Sequence, residues 1–224
     1  MAEQIHTDRQ RELFMKKSTR VAASYLNRAK ALSEMPDAAK PFFDVLENIF
    51  VKLWDIQVEK TIGTLCVMVP AELIYAAGAM PVRLCSGSYT AYSIGDDYIP
   101  RDACPLVKAV MGFGKIRALP AFDNCSLLIA PVTCDCKKKL SGVIGSVKET
   151  VSLHIPPLKK EDADTEVFLR ELYRLVPILE KETGRKITPQ SLAEGIRMVG
   201  EAQYEMSEFL KYRVRPAKGL EFGG

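Results

Sequence analysis

The stretch Thr64-Leu65-Cys66-Val67-Met68-Val69-Pro70-Ala71-Glu72-Leu73-Ile74-Tyr75-Ala76-Ala77-Gly78 passes from a run of β-formers to a run of helix-formers. Leu, Cys and Val suit a pleated, buried surface, so a strand is expected from Thr64 to Val69. Pro70 suits the opening of a helix, and Gly78 is the residue that most readily ends one. The same alternation returns downstream. A short strand is expected at Pro81 to Leu84, a helix at Ala103 to Met111, and a buried strand at Ser126 to Val132; a helix from Asp135 to Val147 and a strand from Val151 to Ile155 follow. Strands separated by helices must be joined by crossovers. The expected fold is therefore α/β, a parallel sheet covered by helices on both faces, with helical N- and C-terminal additions.

Outward from this centre the chain is helical. Residues 9 to 33 are rich in Arg, Lys, Ala and Leu and hold no Gly or Pro, which favours a helix with a solvated basic face. Phe42, Leu46, Ile49, Leu53 and Ile56 recur at intervals of three and four, the stripe of an amphipathic helix. Beyond Pro156-Pro157 a second stripe, Val167, Phe168, Leu172, Leu175, Val176 and Leu179, ends before Gly184. Thr188 caps and Pro189 opens a last helix expected to reach about Tyr212, followed by a loose tail from Arg213 to Gly224. Three regions result: a helical N-terminal region over 1–60, an α/β domain over 61–157 and a helical C-terminal region over 158–224. No internal repeat or low-complexity segment interrupts them.

Composition narrows the function classes. The 224 residues are 47% hydrophobic, enough for one large core or two modest ones. The 31 basic and 28 acidic residues leave a net charge of +3, too balanced to imply nucleic acid as a partner. The N-terminus has no apolar run of signal-peptide length, and no stretch reaches the roughly 18 apolar residues of a membrane span. A cytoplasmic protein with no membrane partner is expected. In a reducing compartment six cysteines serve metal binding, catalysis or plain burial rather than a disulfide framework.

Three of those cysteines end short phrases: Pro81-Val82-Arg83-Leu84-Cys85, Pro100-Arg101-Asp102-Ala103-Cys104-Pro105 and Pro131-Val132-Thr133-Cys134-Asp135. Each follows an apolar or turn-rich stretch, where an α/β sheet gathers its chemistry. The spacing of structural zinc sites, usually about two to four residues between paired cysteines, is absent. So is the compact ferredoxin run. Thiolates drawn singly from three loops suit one shared cavity, and burial remains the other reading for each. Cys66 and Cys125 read as packing residues in or beside strands. Asp102 and Asp135 read as turn or N-cap residues, and Glu72 as a carboxylate favoured by the positive end of its helix. Lys137 to Lys139 read as a solvated helix face, or else as a surface for phosphates or an acidic partner. His154 is expected in the core of a strand and His6 in a frayed terminus. Two histidines leave little material for Cys–His hydrolysis. Gly112-Phe113-Gly114 lacks the Lys-Ser/Thr ending of a phosphate loop, so any ATP would belong to a partner.

The run Val69 to Cys85, then Pro100-Arg101-Asp102-Ala103-Cys104-Pro105-Leu106-Val107-Lys108, then Thr133-Cys134-Asp135 followed by Lys137-Lys138-Lys139, resembles the 2-hydroxyacyl-CoA dehydratase and benzoyl-CoA reductase family. Leu84-Cys85 is most similar to its double-cubane cluster branch, and Glu166 to Leu192 resembles the family's connecting region. The resemblance implies an iron–sulfur cluster, of 4Fe-4S or double-cubane type, with Cys85, Cys104 and Cys134 as the matching ligand positions. It implies an ATP-dependent activator protein as electron donor, an acyl-CoA substrate and a homo- or hetero-oligomer. The chemistry it implies is reduction or dehydration driven by single electrons, by a dehydratase-like lyase or a reductase component.

Relatives of this kind carry a second α/β domain after the connecting helices. The resemblance covers residues 60 to 212, so a second α/β subunit is expected to supply that half, or else the chain is a reduced, non-catalytic family member acting as a scaffold or interaction subunit. The dehydratases draw one ligand from the second half, whereas a site of Cys85, Cys104 and Cys134 lies wholly within this chain. Cys136 stands where the family phrase has a small residue such as Gly, as a spare thiol, another ligand or a simple substitution.

Overall fold

The apolar run Leu127-Leu128-Ile129-Ala130 is buried on both sides, as the middle of a parallel sheet requires. It lies in β3 (Cys125–Val132), and in the computed structural model β1 (Thr61–Thr64), β2 (Met80–Arg83), β3 and β4 (Thr150–His154) form one sheet in the order β2-β1-β3-β4. All three pairings are parallel. The structure describes residues 2–31, 40–51, 60–85, 87–118, 120–157 and 162–214. Among these the helices are α1 (Ala2–Lys30), α2 (Lys40–Phe50), α3 (Ala71–Ala76), α4 (Tyr89–Gly95), α5 (Pro105–Ile116), α6 (Pro120–Asn124), α7 (Asp135–Ile144), α8 (Asp162–Thr183) and α9 (Pro189–Val214).

Side chains alternate across the sheet, and each face has its own core. Leu128 and Ala130 pack with Val107, Val110 and Met111 of α5 and with Leu140 and Ile144 of α7. Leu127 and Ile129 pack with Ile62, Leu153, Leu73 and Ile74 of α3, and Leu175 and Leu179 of α8. The expected α/β sheet with helices on both faces is thus the observed one. Burying each such Leu or Ile contributes roughly 1.5–3 kcal/mol, so the two faces hold the sheet between them. A third cluster seats α1 on the outside, where the Phe14 ring meets Phe113 edge-on at 5.2 Å.

The first strand lies earlier than the sequence predicts. Thr61 to Thr64 form it, while Leu65 to Val69 turn towards α3. Only Leu65 and Val69 of that run are buried, whereas Val67 is 69% exposed. Its β-formers make the connection leaving the sheet's carboxyl edge, and Pro70 at the N-cap starts α3. The Thr188 cap is as expected: its Oγ accepts from Ser191 N–H at 3.1 Å, and Ser191 Oγ accepts from Thr188 N–H at 2.9 Å. Phe42 of α2 faces Phe209 of α9 with ring centres 6.4 Å apart. Leu53, Ile56 and most of the predicted tail lie outside the described residues.

Strand order also locates the place where a ligand would sit. From β1 the chain crosses to β2 on one side, then returns to β3 on the other. The crevice beyond the carboxyl ends of β1 and β3 is therefore the topological switch point, where open α/β sheets bind ligands.

Candidate functional site at the carboxyl edge

The predicted ligands all lie at this edge. Cys85 follows β2 by two residues and Cys134 follows β3 by two. Cys104 is the N-cap of α5, whose far end leads through α6 to the start of β3, so Cys104 stands at the carboxyl end as well. Cys134 is in turn the N-cap of α7. Neither cap makes a side-chain hydrogen bond to its helix, so neither sulfur is spent on capping. Asp135 occupies the first turn of α7 rather than its cap, and Asp102 lies in the turn before Cys104. A cysteine holds each cap position the sequence suggested for an aspartate.

The structure joins thiols in pairs that spacing did not suggest. Cys85 Sγ–H donates to the Leu65 carbonyl, which brings the β2 loop against the β1 loop and Cys66. Cys104 N–H donates to Cys136 Sγ at 3.5 Å, which brings the start of α5 against the first turn of α7. Each pair unites one predicted ligand with a cysteine outside the predicted ligand set: Cys66, read as packing, and Cys136, read as a spare thiol, another ligand or a simple substitution. Cys66, expected in a strand core, is a half-buried loop thiol because the strand ends before it.

Charge differs within the first pair. Burial alone would raise the Cys66 thiol, but backbone hydrogen bonds at Met68 and Val67 and the Lys137 ammonium bring it below the ordinary cysteine value. Cys85 is exposed as a residue, but partial desolvation of its sulfur pushes the thiol up, and Cys66 beside it adds to that against the pull of Lys137 and Arg83. Of the two, the Cys66 thiol therefore loses its proton the more readily. Lys137 is half-buried against these sulfurs, while Lys138 and Lys139 are exposed as a solvated face would be. From the sequence Cys136 reads as a spare thiol, another ligand or a simple substitution and Lys137 as part of a lysine face; their places beside Cys104 and the Cys66–Cys85 pair come from the fold.

Other sulfurs and bases stand apart. Cys125 is buried at the opposite edge, donates to the Phe122 carbonyl at 3.3 Å and has its thiol raised by burial, as a packing cysteine should. His154 is exposed rather than in the core, because it ends β4 and the preceding Leu153 takes the inward position. His6 lies within α1. Gly112-Phe113-Gly114 lies buried within α5 and forms no phosphate loop. A pocket of about 280 Å³ lies at the amino edge, among Lys115, Arg117, Asp123, Ser146 and Lys148. Its cations are engaged: Arg117 with Asp123 at 2.8 Å, Lys148 with the Asp123 and Cys125 carbonyls, and Lys115 over the Tyr98 ring.

Cys85, Cys104 and Cys134 all lie at the carboxyl ends of the sheet, and thiols are the donors an iron–sulfur group takes. No three Cys, His, Asp or Glu side chains among the described residues are grouped closely enough to hold a metal ion. Among the described residues no helix is long and apolar enough to cross a membrane.

A parallel α/β sheet with cysteine loops along its carboxyl edge defines the class of protein. Residues 66–222 match the family described as 2-hydroxyglutaryl-CoA dehydratase, D-component, and the chain belongs to that family, within the 2-hydroxyacyl-CoA dehydratases. It is 28% identical over 180 residues to YjiM of Escherichia coli (strain K12), a candidate dehydratase subunit, with 80% of this chain and 47% of that one covered. It is 29% identical over 176 residues to the (R)-phenyllactyl-CoA dehydratase beta subunit of Clostridium sporogenes, with 75% and 46% covered. To one of the subunits of the benzoyl-CoA reductase of Thauera aromatica it is 27% identical over 146 residues, with 63% and 37% covered. The chain spans less than half the length of these relatives.

Proposed function

We propose that this chain holds an iron–sulfur cluster at its carboxyl edge through Cys85, Cys104 and Cys134, as part of a cytoplasmic enzyme that reduces or dehydrates an acyl-CoA. Membership of the dehydratase family supports the reaction class, and relatives named as dehydratase and reductase subunits support assembly with a further α/β subunit. The observation that carries the reading is the opening of all three cysteine loops at the carboxyl edge of one sheet, beside its switch point. When bound, such a cluster supplies single electrons at a potential set by its thiolates, their hydrogen bonds and burial, and an ATP-dependent activator is the fitting donor. The protein's own part is to present the thiolates, to place Lys137 as a positive charge against the Cys66–Cys85 side, and to keep Cys136 against the Cys104 backbone.

Anaerobic purification and reconstitution, with iron and acid-labile sulfide analysis, tests this. Iron and sulfide in stoichiometric amounts with brown absorbance are expected. Colourless, iron-free protein after reconstitution overturns the cluster and favours the second reading, a non-catalytic interaction subunit.

A further inference from the structure

Lys108 has no solvent exposure at all, yet it carries a charge. A buried ammonium is costly unless it is paired and hydrogen-bonded. Lys108 Nζ donates to Asp96 Oδ1 at 2.5 Å and to the Arg101 carbonyl at 2.6 Å, and it lies 5.0 Å from the centre of the Tyr92 ring. The hydrogen bond to Asp96 raises Lys108 above the ordinary lysine value, so it stays charged. Asp96 is the C-cap of α4, and Arg101 lies three residues before Cys104. Lys108 itself is one turn into α5, where its N–H bonds to the Cys104 carbonyl at 3.2 Å. One side chain therefore clasps both ends of the 96–104 loop and the helix that Cys104 caps.

The seat of this clasp is fixed by close helix packing. A Cβ at Gly95 would meet the Lys108 carbonyl at 1.9 Å, and one at Gly112 would meet the Ala91 carbonyl at 2.0 Å. The backbones of α4 and α5 touch at both points, so Lys108 leaves α5 at a fixed height opposite Asp96. An apolar side chain would fill the same volume without the desolvation cost. What it would lack is direction, because packing does not hold the Arg101 carbonyl in one orientation and hydrogen bonding does.

We propose that Lys108 is the positioning residue for Cys104, fixing the loop from Asp96 so that the thiol keeps its place at the helix start beside Cys136. This rests on the reading of Cys104 as a ligand, and it acts without contact between Lys108 and any sulfur. The test uses the full chain, metal-free and reduced, pulsed with iodoacetamide and mapped by mass spectrometry. In Lys108→Met the labelling of Cys104 rises by at least about fivefold, while Cys85 and Cys134 keep their rates and buried Cys125 stays protected. Asp96→Asn, which keeps an acceptor at a half-exposed position, gives a smaller rise of about twofold and stands in should Lys108→Met fail to fold. Unchanged labelling of Cys104 in either folded variant, or a common rise that includes Cys125, overturns the proposal. After anaerobic reconstitution the Lys108→Met protein is expected to hold less iron than the wild type. A wild type that takes up no iron overturns the ligand reading alone, and the labelling pattern still decides what Lys108 does.

Discussion

At the amino ends of β3 and β4 the protein has a pocket of about 280 Å³ whose cations are already bound to carboxylate, carbonyl and ring. At the carboxyl ends it has Cys66, Cys85, Cys104, Cys134 and Cys136 on loops and helix starts. The two ends of one sheet thus differ in the side chains they gather. Satisfied polar groups hold strands in place, and what they line is scaffold. Side chains not spent on such contacts are the ones available to a ligand.

Replacing Cys85, Cys104 or Cys134 singly with Ser is the strongest way to break this comparison. Each variant is expected to lose the cluster absorbance entirely after reconstitution, while its metal-free melting temperature stays close to that of the wild type. Cys125→Ser at the other end should do the reverse. It puts a hydroxyl in a buried site, costing about 1–3 kcal/mol in urea unfolding, and leaves iron content unchanged. Lys148→Met strands the Asp123 and Cys125 carbonyls and should cost a similar 1–3 kcal/mol or so, again with no effect on iron. Loss of iron in either amino-edge variant with native melting would show that the two ends are not independent.

Two smaller effects sharpen the contrast. In metal-free protein at neutral pH, Cys66 should react with iodoacetamide several-fold faster than Cys85, because Lys137 and backbone N–H groups favour its thiolate while burial disfavours that of Cys85. Equal rates would remove the asymmetry within that pair. At the end of β4, Glu171 accepts from Arg174 at 2.8 Å and from the His154 N–H at 3.0 Å, and these bonds hold its carboxyl below the ordinary value. Because the folded value is depressed, the contribution is present above the unfolded value and is lost as pH falls through the folded one. Glu171→Gln should therefore cost under about 1 kcal/mol at pH 7, since Arg174 is exposed and screened, and nothing in strong acid.

Much of this was legible from residues alone. The alternation of β-rich and helix-rich runs gave the parallel sheet, because burial on both faces leaves Leu127 to Ala130 no polar position. Cys85, Cys104 and Cys134 stood out because turn residues and helix starts surround them. The pairs Cys66 with Cys85 and Cys104 with Cys136 did not, since they arise between chain segments 19 and 32 residues apart and depend on strand order. The end of β1 was misread for a related reason: Leu65 to Val69 has strand propensity, but the sheet's edge comes first and the run serves as its exit. Lys108 looked like an ordinary helix lysine, and only its neighbours on α4 make it a buried cation.

The backbone contact of α4 with α5 also bears on how this protein tolerates change. Gly95 and Gly112 touch no thiol, yet any side chain at either would drive the helices apart and carry the Cys104 loop with them. In a library of random single substitutions, these two glycines should be depleted as sharply as the cysteines themselves. Selection for a working edge would then leave two equally invariant marks in descendants of this sequence, one for reactivity and one for the fit of two helices behind it.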